Sequence, residues 1–96
     1  MDQTIKKQWI KALHEPKVKQ TTGILYDGHG YCCLGVLRKV MNPNDSSSLD
    51  GQTTELTDKQ LKKAGLNHVQ CNTLIELNDT YGYSFKDIAH YISEHL

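Results

Sequence analysis

The chain has 96 residues, 11 of them basic and 11 acidic, and a formal net charge of +0 with histidine neutral. That length suits a single domain with a thin core, and the neutral balance speaks against a dedicated duplex-DNA binder, whose footprint is basic. No stretch approaches the roughly 20 apolar residues that cross a bilayer, and three cysteines, two of them adjacent, make no disulfide framework. The start Met1-Asp2-Gln3 lacks a basic-then-apolar leader, so no secretion is expected and a reducing cytoplasm is the expected compartment.

Residues 2–14 read as a helix, because Ile5, Trp9, Ile10 and Leu13 share one face at helical spacing. Asp2 or Thr4 caps its start. Pro16 stops it, and Glu15 is pushed out of the helical region by the proline that follows. Trp9 is either a core anchor or a stacking platform at a pocket rim. Residues 17–26 read as a strand of imperfect alternation with β-branched residues. Lys17 and Lys19 would share one face, with Gln20 and Thr22 on the other. The glycines at 28 and 30 then allow a turn from which Tyr31 pairs back, giving a short antiparallel hairpin. Such a hairpin is marginal alone, so a helix or another subunit must cover it.

Tyr31-Cys32-Cys33-Leu34-Gly35-Val36-Leu37 carries no charge until Arg38 and is expected to be buried. Cys32 to Met41 turns helical, with Cys33, Leu34, Leu37, Val40 and Met41 as its wide apolar face. Arg38 and Lys39 suit the negative end of its dipole, and Gly35, about 1 kcal/mol worse than alanine in a helix, marks a close approach of backbone. Asn42-Pro43-Asn44 ends it. Residues 43–55 form the longest loop. Thr57 to Gln60 is a capping box that opens a helix over 58–64, which Gly65 closes. Val69, Cys71, Leu74, Ile75 and Leu77 support a helix over 68–78. Ser84 and Asp87 cap a last one, in which Phe85, Ile88, Ala89, Ile92 and Leu96 make an apolar stripe. The chain is expected to fold as α+β: one small, mainly helical domain over residues 1–96, with one short antiparallel β-hairpin packed on the helices.

His29/Cys32 and His68/Cys71 repeat a His-x-x-Cys spacing, and four such ligands would close a tetrahedral zinc site. Structural zinc is held by paired Cys-x₂-Cys or His-x₃₋₅-His instead, and cysteine on an apolar face behaves as a small inert hydrophobe. No metal and no cofactor is therefore expected. Cys32 or Cys33 at a helix start, with a histidine as base, is the enzyme alternative. The run around them reads as packing, and there is no Gly-x-Gly-x-x-Gly, P-loop or His-Glu-x-x-His; no catalytic residue is expected. Asn78-Asp79 either satisfies loop backbone groups or recognises a base or ribose edge. Lys17, Lys19, Gln20, Thr21, Thr22 and Tyr26 are either a solvated strand face or a surface for an anionic, ring-containing ligand, with lysine on phosphate and an aromatic on the ring.

Trp9-Ile-x-Ala-Leu13, Lys19-Gln20-x-x-Gly23-x-Leu25, Tyr31-Cys-Cys-Leu-Gly-Val-Leu37 and Leu77-Asn-Asp79-x-x-Gly82-x-Ser84-Phe-x-x-Ile88-Ala89 together resemble a family of small phage-encoded proteins. The resemblance covers most of the chain outside residues 42–67 and extends to the phage sponges that sequester nucleotide immune signals, in particular anti-CBASS sponges for cyclic dinucleotides. It implies a viral protein that is no enzyme, binds a cyclic dinucleotide such as 3′3′-cGAMP, competes with the host effector and releases the ligand intact. It further implies a homotetramer, with pockets at subunit interfaces, in the cytoplasm of the infected bacterial host. Residue chemistry then assigns Lys17 and Lys19 to phosphates, Gln20, Thr22, Asn78 and Asp79 to polar edges, and Trp9, Tyr26 or Tyr31 to a base. A sponge for TIR-derived cyclic ADP-ribose signals, and a phage structural or regulatory module working through protein contacts, stand as the alternatives.

Overall fold

The apolar stripes of the sequence become five helices among the described residues: α1 (Gln3–Leu13), α2 (Cys33–Met41), α3 (Asp58–Ala64), α4 (His68–Asp79) and α5 (Phe85–His95). The structure is a computed structural model, and it describes residues 1–23, 28–42 and 56–96. Four helix starts have the side-chain caps that orphan N–H groups demand. Asp2 Oδ1 accepts from Ile5 N at 2.8 Å. Thr57 and Gln60 close a capping box on α3, and Ser84 and Asp87 close one on α5, aspartate taking the place of the longer glutamate. Asn67 and Gln70 do the same for α4, an Asn-x-x-Gln box that the sequence reading missed. α2 has no cap of this kind: Cys32 stands at its N-cap and makes no side-chain cap bond.

α2 is the centre of the fold. It packs on α1 and α4, and α5 closes the bundle against α1 and α4. Seven of its nine residues are buried, six of them without a polar side chain beyond a thiol and the seventh Arg38. Trp9, Leu34, Leu37, Leu74, Ile88 and Ile92 are the largest apolar side chains fully withdrawn from solvent. Trp9 also donates its indole N–H to the carbonyl of Cys33 at 2.9 Å, which satisfies the one polar atom that burying the ring brings into the core. α3 is tied on by the chain start: Asp2 N donates to Ala64 O at 2.9 Å. No helix among the described residues is long and apolar enough to cross a membrane.

The expected antiparallel hairpin is not found among the described residues. The described residues hold no strand, only an isolated bridge between Gln20 and Tyr31, and that bridge is parallel. Tyr31 N donates to Lys19 O at 2.8 Å and Thr21 N donates to Tyr31 O at 2.7 Å, so Tyr31 is straddled by residues 19 and 21 as parallel pairing requires. The α+β expectation is therefore corrected to a mainly helical fold, with one bridge and no strand among the described residues. Pro16 gives the physical reason. It sets the φ of a turn in which Val18 N donates to Glu15 O at 3.1 Å, so the segment expected to begin a strand at Lys17 is still turning. The chain bends again at Thr22 and Gly23, which leaves too few extended residues for a ladder. The rest of the expected strand, Tyr26 with it, the first turn residue Asp27, and the 43–55 loop lie outside the described residues.

Gly30 makes the bridge possible. A Cβ there would stand 2.9 Å from Lys19 O and 3.3 Å from Lys19 C, and backbone atoms cannot swing aside as a side chain can. Gly30→Ala is expected to destabilise by about 1–3 kcal/mol, the usual cost of overpacking, read as a shift of the urea midpoint. An unchanged midpoint would show that the 19–21 segment is loosely held.

Candidate functional site

α2 has apolar residues on more than the one face its core contacts use, and the second face makes the site. Cys33, Leu34, Leu37 and Met41 are buried in the core. Val36, Lys39 and Val40 stand at i, i+3 and i+4 and so share another side of the helix. Together with Ala12 from the last turn of α1, Lys17 and Val18 from the Pro16 turn, and Tyr31 from the bridge, they line a groove of about 350 Å³. Its size falls in the range of small-molecule clefts, roughly 300–1,000 Å³. Each wall is fixed by a local cause. The Glu15–Val18 turn folds Lys17 and Val18 back beside the end of α1, and the two bonds to residues 19 and 21 hold Tyr31.

The chemistry of the groove is simple. Its floor is methyl groups and a tyrosine ring, and the two charged side chains among its described lining are both lysines. Lys17 is exposed and Lys39 half-buried, and both border a groove whose apolar walls lower the local dielectric and strengthen attraction for an anion. An anion with a flat, apolar body suits it.

The structure brings Lys17 and Tyr31 of the expected site residues together in this groove and places the others elsewhere. Trp9 is in the core with no exposed surface. Lys19 and Thr22 are exposed and do not line the groove. Tyr26 lies outside the described residues. Gln20, Asn78 and Asp79 form a hydrogen-bonded staple. Asn78 is 1% exposed. Its Oδ1 accepts from Gln20 Nε2 at 2.9 Å and from Cys33 N at 3.3 Å. Its Nδ2 donates to Thr21 O at 2.9 Å and to Asp79 Oδ1 at 2.7 Å. An asparagine amide has two donors and two acceptor sites, and all four are in use. Gln20 Nε2 also donates to Tyr83 O at 2.7 Å. Because Cys33 N is the first N–H of α2, Asn78 supplies from α4 the cap that Cys32 does not.

Sequence reasoning missed Ala12, Val18, Val36 and Lys39, and it assigned Val40 to the core face. The available signal was α2 itself, which is apolar on more sides than one core contact can use.

The cysteines are buried and free. Burial pushes the Cys32 thiol up, although N–H groups of Gly35 and Leu34 pull part of the way back. Burial pushes Cys33 well up, and its neighbour Cys32 adds to this. Both thiols therefore hold their protons, and a thiol is a poor nucleophile compared with a thiolate. At pH 8 both are expected to react with a disulfide reagent far more slowly in the native protein than in urea; a fast native phase would reverse the assignment. The linkage has a definite sign. The native state keeps protons that the unfolded state releases, so this contribution to stability is present below the ordinary thiol pKa of about 8.5 and is lost as pH rises above it. Cys33→Ala is expected to flatten that alkaline decline. His68 Nε2 lies 3.2 Å from Asp58 Oδ1. Among the described residues no three His, Cys, Asp or Glu side chains come together as metal ligands would.

Such a small helical domain, with a cationic apolar groove, defines a class by architecture only. The chain belongs to the family described as Domain of unknown function (DUF8296), whose model matches residues 1–60. That match contains every described residue that lines the groove, whereas Asn78 lies beyond it. No curated protein and no solved structure matches the chain.

Proposed function

We propose that this chain is a non-enzymatic binding protein that takes up a cyclic dinucleotide, such as 3′3′-cGAMP, and withholds it intact from a CBASS-type effector. In this reading it acts as a phage-encoded homotetramer in the cytoplasm of the infected bacterium. The groove carries the proposal: Lys17 and Lys39 supply charge for phosphates, and Tyr31 with the valine floor supplies a surface for a base. The buried, protonated thiols support binding over covalent chemistry.

The test is retention. The protein is incubated with 3′3′-cGAMP and desalted, then heated, and the released nucleotide is identified by chromatography. Intact ligand is expected. In parallel, ligand at about 100 times its Kd is expected to add about 2.7 kcal/mol of apparent stability, because it binds only the native state. The double variant Lys17→Glu with Lys39→Glu is expected to retain none while keeping the helical circular dichroism of the parent. Hydrolysed product, or no retention, overturns the proposal. Retention of a cyclic ADP-ribose isomer in place of the dinucleotide moves the reading to TIR-derived signals.

A further inference from the structure

We infer that Gln20 is a positioning residue for the groove: it seats the wall that carries Tyr31, with Val18 and Lys17 just before it in sequence, and so sets how tightly the groove binds. The inference rests on the binding reading above and adds to it which remote side chain decides affinity.

The described lining has two kinds of wall. One side comes from α1 and α2 and is fixed by helix packing. Lys17, Val18 and Tyr31 lie outside any helix. Tyr31 is held by the bridge, through its bonds to Lys19 O and from Thr21 N. Two backbone bonds between irregular segments make a weak joint in water. The joint is anchored from its other side. Gln20 Nε2 donates to Asn78 Oδ1 at 2.9 Å and to Tyr83 O at 2.7 Å, and Asn78 Nδ2 donates to Thr21 O at 2.9 Å. Both anchors are firm. Asn78 is buried in the last turn of α4 and bonded to Cys33 N, and Tyr83 N donates to Leu77 O. A continuous run of hydrogen bonds therefore leads from the end of α4 through residues 19–21 to Tyr31.

A ligand that meets a wall already in place spends no binding energy on ordering it. Affinity falls in proportion to the fraction of molecules whose wall is seated. One hydrogen bond shifts such an equilibrium by up to about tenfold, and Gln20 makes two. Losing both is expected to turn a mostly seated wall into a mostly released one. Asn78 has a second duty as the cap of α2, whereas Gln20 is exposed, so Gln20 is the residue at which positioning separates from stability.

The experiment uses Gln20→Met, which keeps the length of the side chain and loses its donors. Parent and variant are titrated calorimetrically with 3′3′-cGAMP and with 1-naphthyl phosphate, a flat ring with one phosphate, and amide hydrogen exchange is followed without ligand. The variant is expected to bind about tenfold more weakly. Its Thr21 and Tyr31 amides are expected to lose about tenfold more protection than the amides of α5, which report global unfolding. A Kd within about twofold of the parent overturns the inference and leaves the nucleotide reading standing. So does weaker binding with Thr21 and Tyr31 protected as in the parent, which would put Gln20 against the ligand itself. So does a loss of protection spread evenly over the chain, which would make its role purely structural. A parent that binds naphthyl phosphate but not 3′3′-cGAMP removes the nucleotide reading, and the inference is then decided on naphthyl phosphate. A parent that binds neither removes both.

Discussion

Asn78→Ala is expected to lower the unfolding free energy by about 3 kcal/mol or more, a drop of more than about 10 °C in Tm for a domain of this size. The side chain is small, so lost apolar area is a minor part of the effect. What counts is the set of groups left behind. Cys33 N and Thr21 O lose this partner together, and the Gln20 amide keeps only its bond to Tyr83 O. A buried polar group stripped of its hydrogen bond costs about 1–3 kcal/mol, more than the bond itself contributes. Cys33 N is also the first N–H of α2, whose own N-cap offers nothing, so the helix at the centre of the fold loses its only described start cap. Asn78→Asp separates shape from hydrogen bonding. It keeps the outline and the acceptors, loses both donors, and sets a second carboxylate where Nδ2 now stands 2.7 Å from Asp79. Like charges that close push the carboxyl pKa of the pair up in the native state. The variant is therefore expected to be worst near neutral pH and to close on the parent as pH falls toward the ordinary carboxylate range of about 4. Urea titrations of both variants at pH 7 and pH 4 read this out. A cost below about 1 kcal/mol for alanine would mean that water replaces the staple.

The five helices were legible because their signals are local. Apolar periodicity and caps at Thr57 and Ser84 need no knowledge of the rest of the chain. The bridge was not legible for the opposite reason. A hairpin is suggested by what lies next to its turn, but the parallel pairing of Tyr31 with Lys19 and Thr21 depends on how a Pro16 turn and a Gly30 contact place two segments, and β-branched residues at 18, 21 and 22 do not specify that. The groove was half legible. Lys17 and Tyr31 were named by residue chemistry, as a cation for phosphate and a ring for a base. Lys39 and Val40 did not, because α2 offers apolar residues on several sides and only the packing of α1 and α4 decides which are left over; nor did Val36, a core residue that also reaches the groove. Gln20 and Asn78 stood out as hydrogen-bonding side chains, but nothing in the sequence joins residue 20 to residue 78. Their bond is made by the fold: it withdraws Asn78 from solvent and commits the Gln20 amide, although Gln20 itself stays exposed.

Trp9→Ala is expected to cost about 3–5 kcal/mol, against a total stability of roughly 5–15 kcal/mol for a domain of this kind. Trp9 sits on α1, which packs against both α2 and α5, and its ring has no exposed surface. Removing it leaves a cavity at the junction of three helices and frees the Cys33 carbonyl that its indole caps. Thermal unfolding by circular dichroism is expected to show a midpoint lower by more than about 12 °C, at 4–8 °C per kcal/mol. Trp9→Phe keeps most of the ring and loses the indole N–H, and its expected cost is about 1–2 kcal/mol. The phenylalanine variant also decides whether Trp9 serves the groove. Its indole does not line that groove, so the ligand Kd is expected to stay within about twofold of the parent, below the 1–3 kcal/mol that losing a base-stacking ring costs. Lys17→Glu, at an exposed position of the groove, is expected to do the reverse, abolishing binding with little change in melting. A Trp9→Phe protein that melts near the parent and binds nothing would put the indole against the ligand and make it a stacking platform after all.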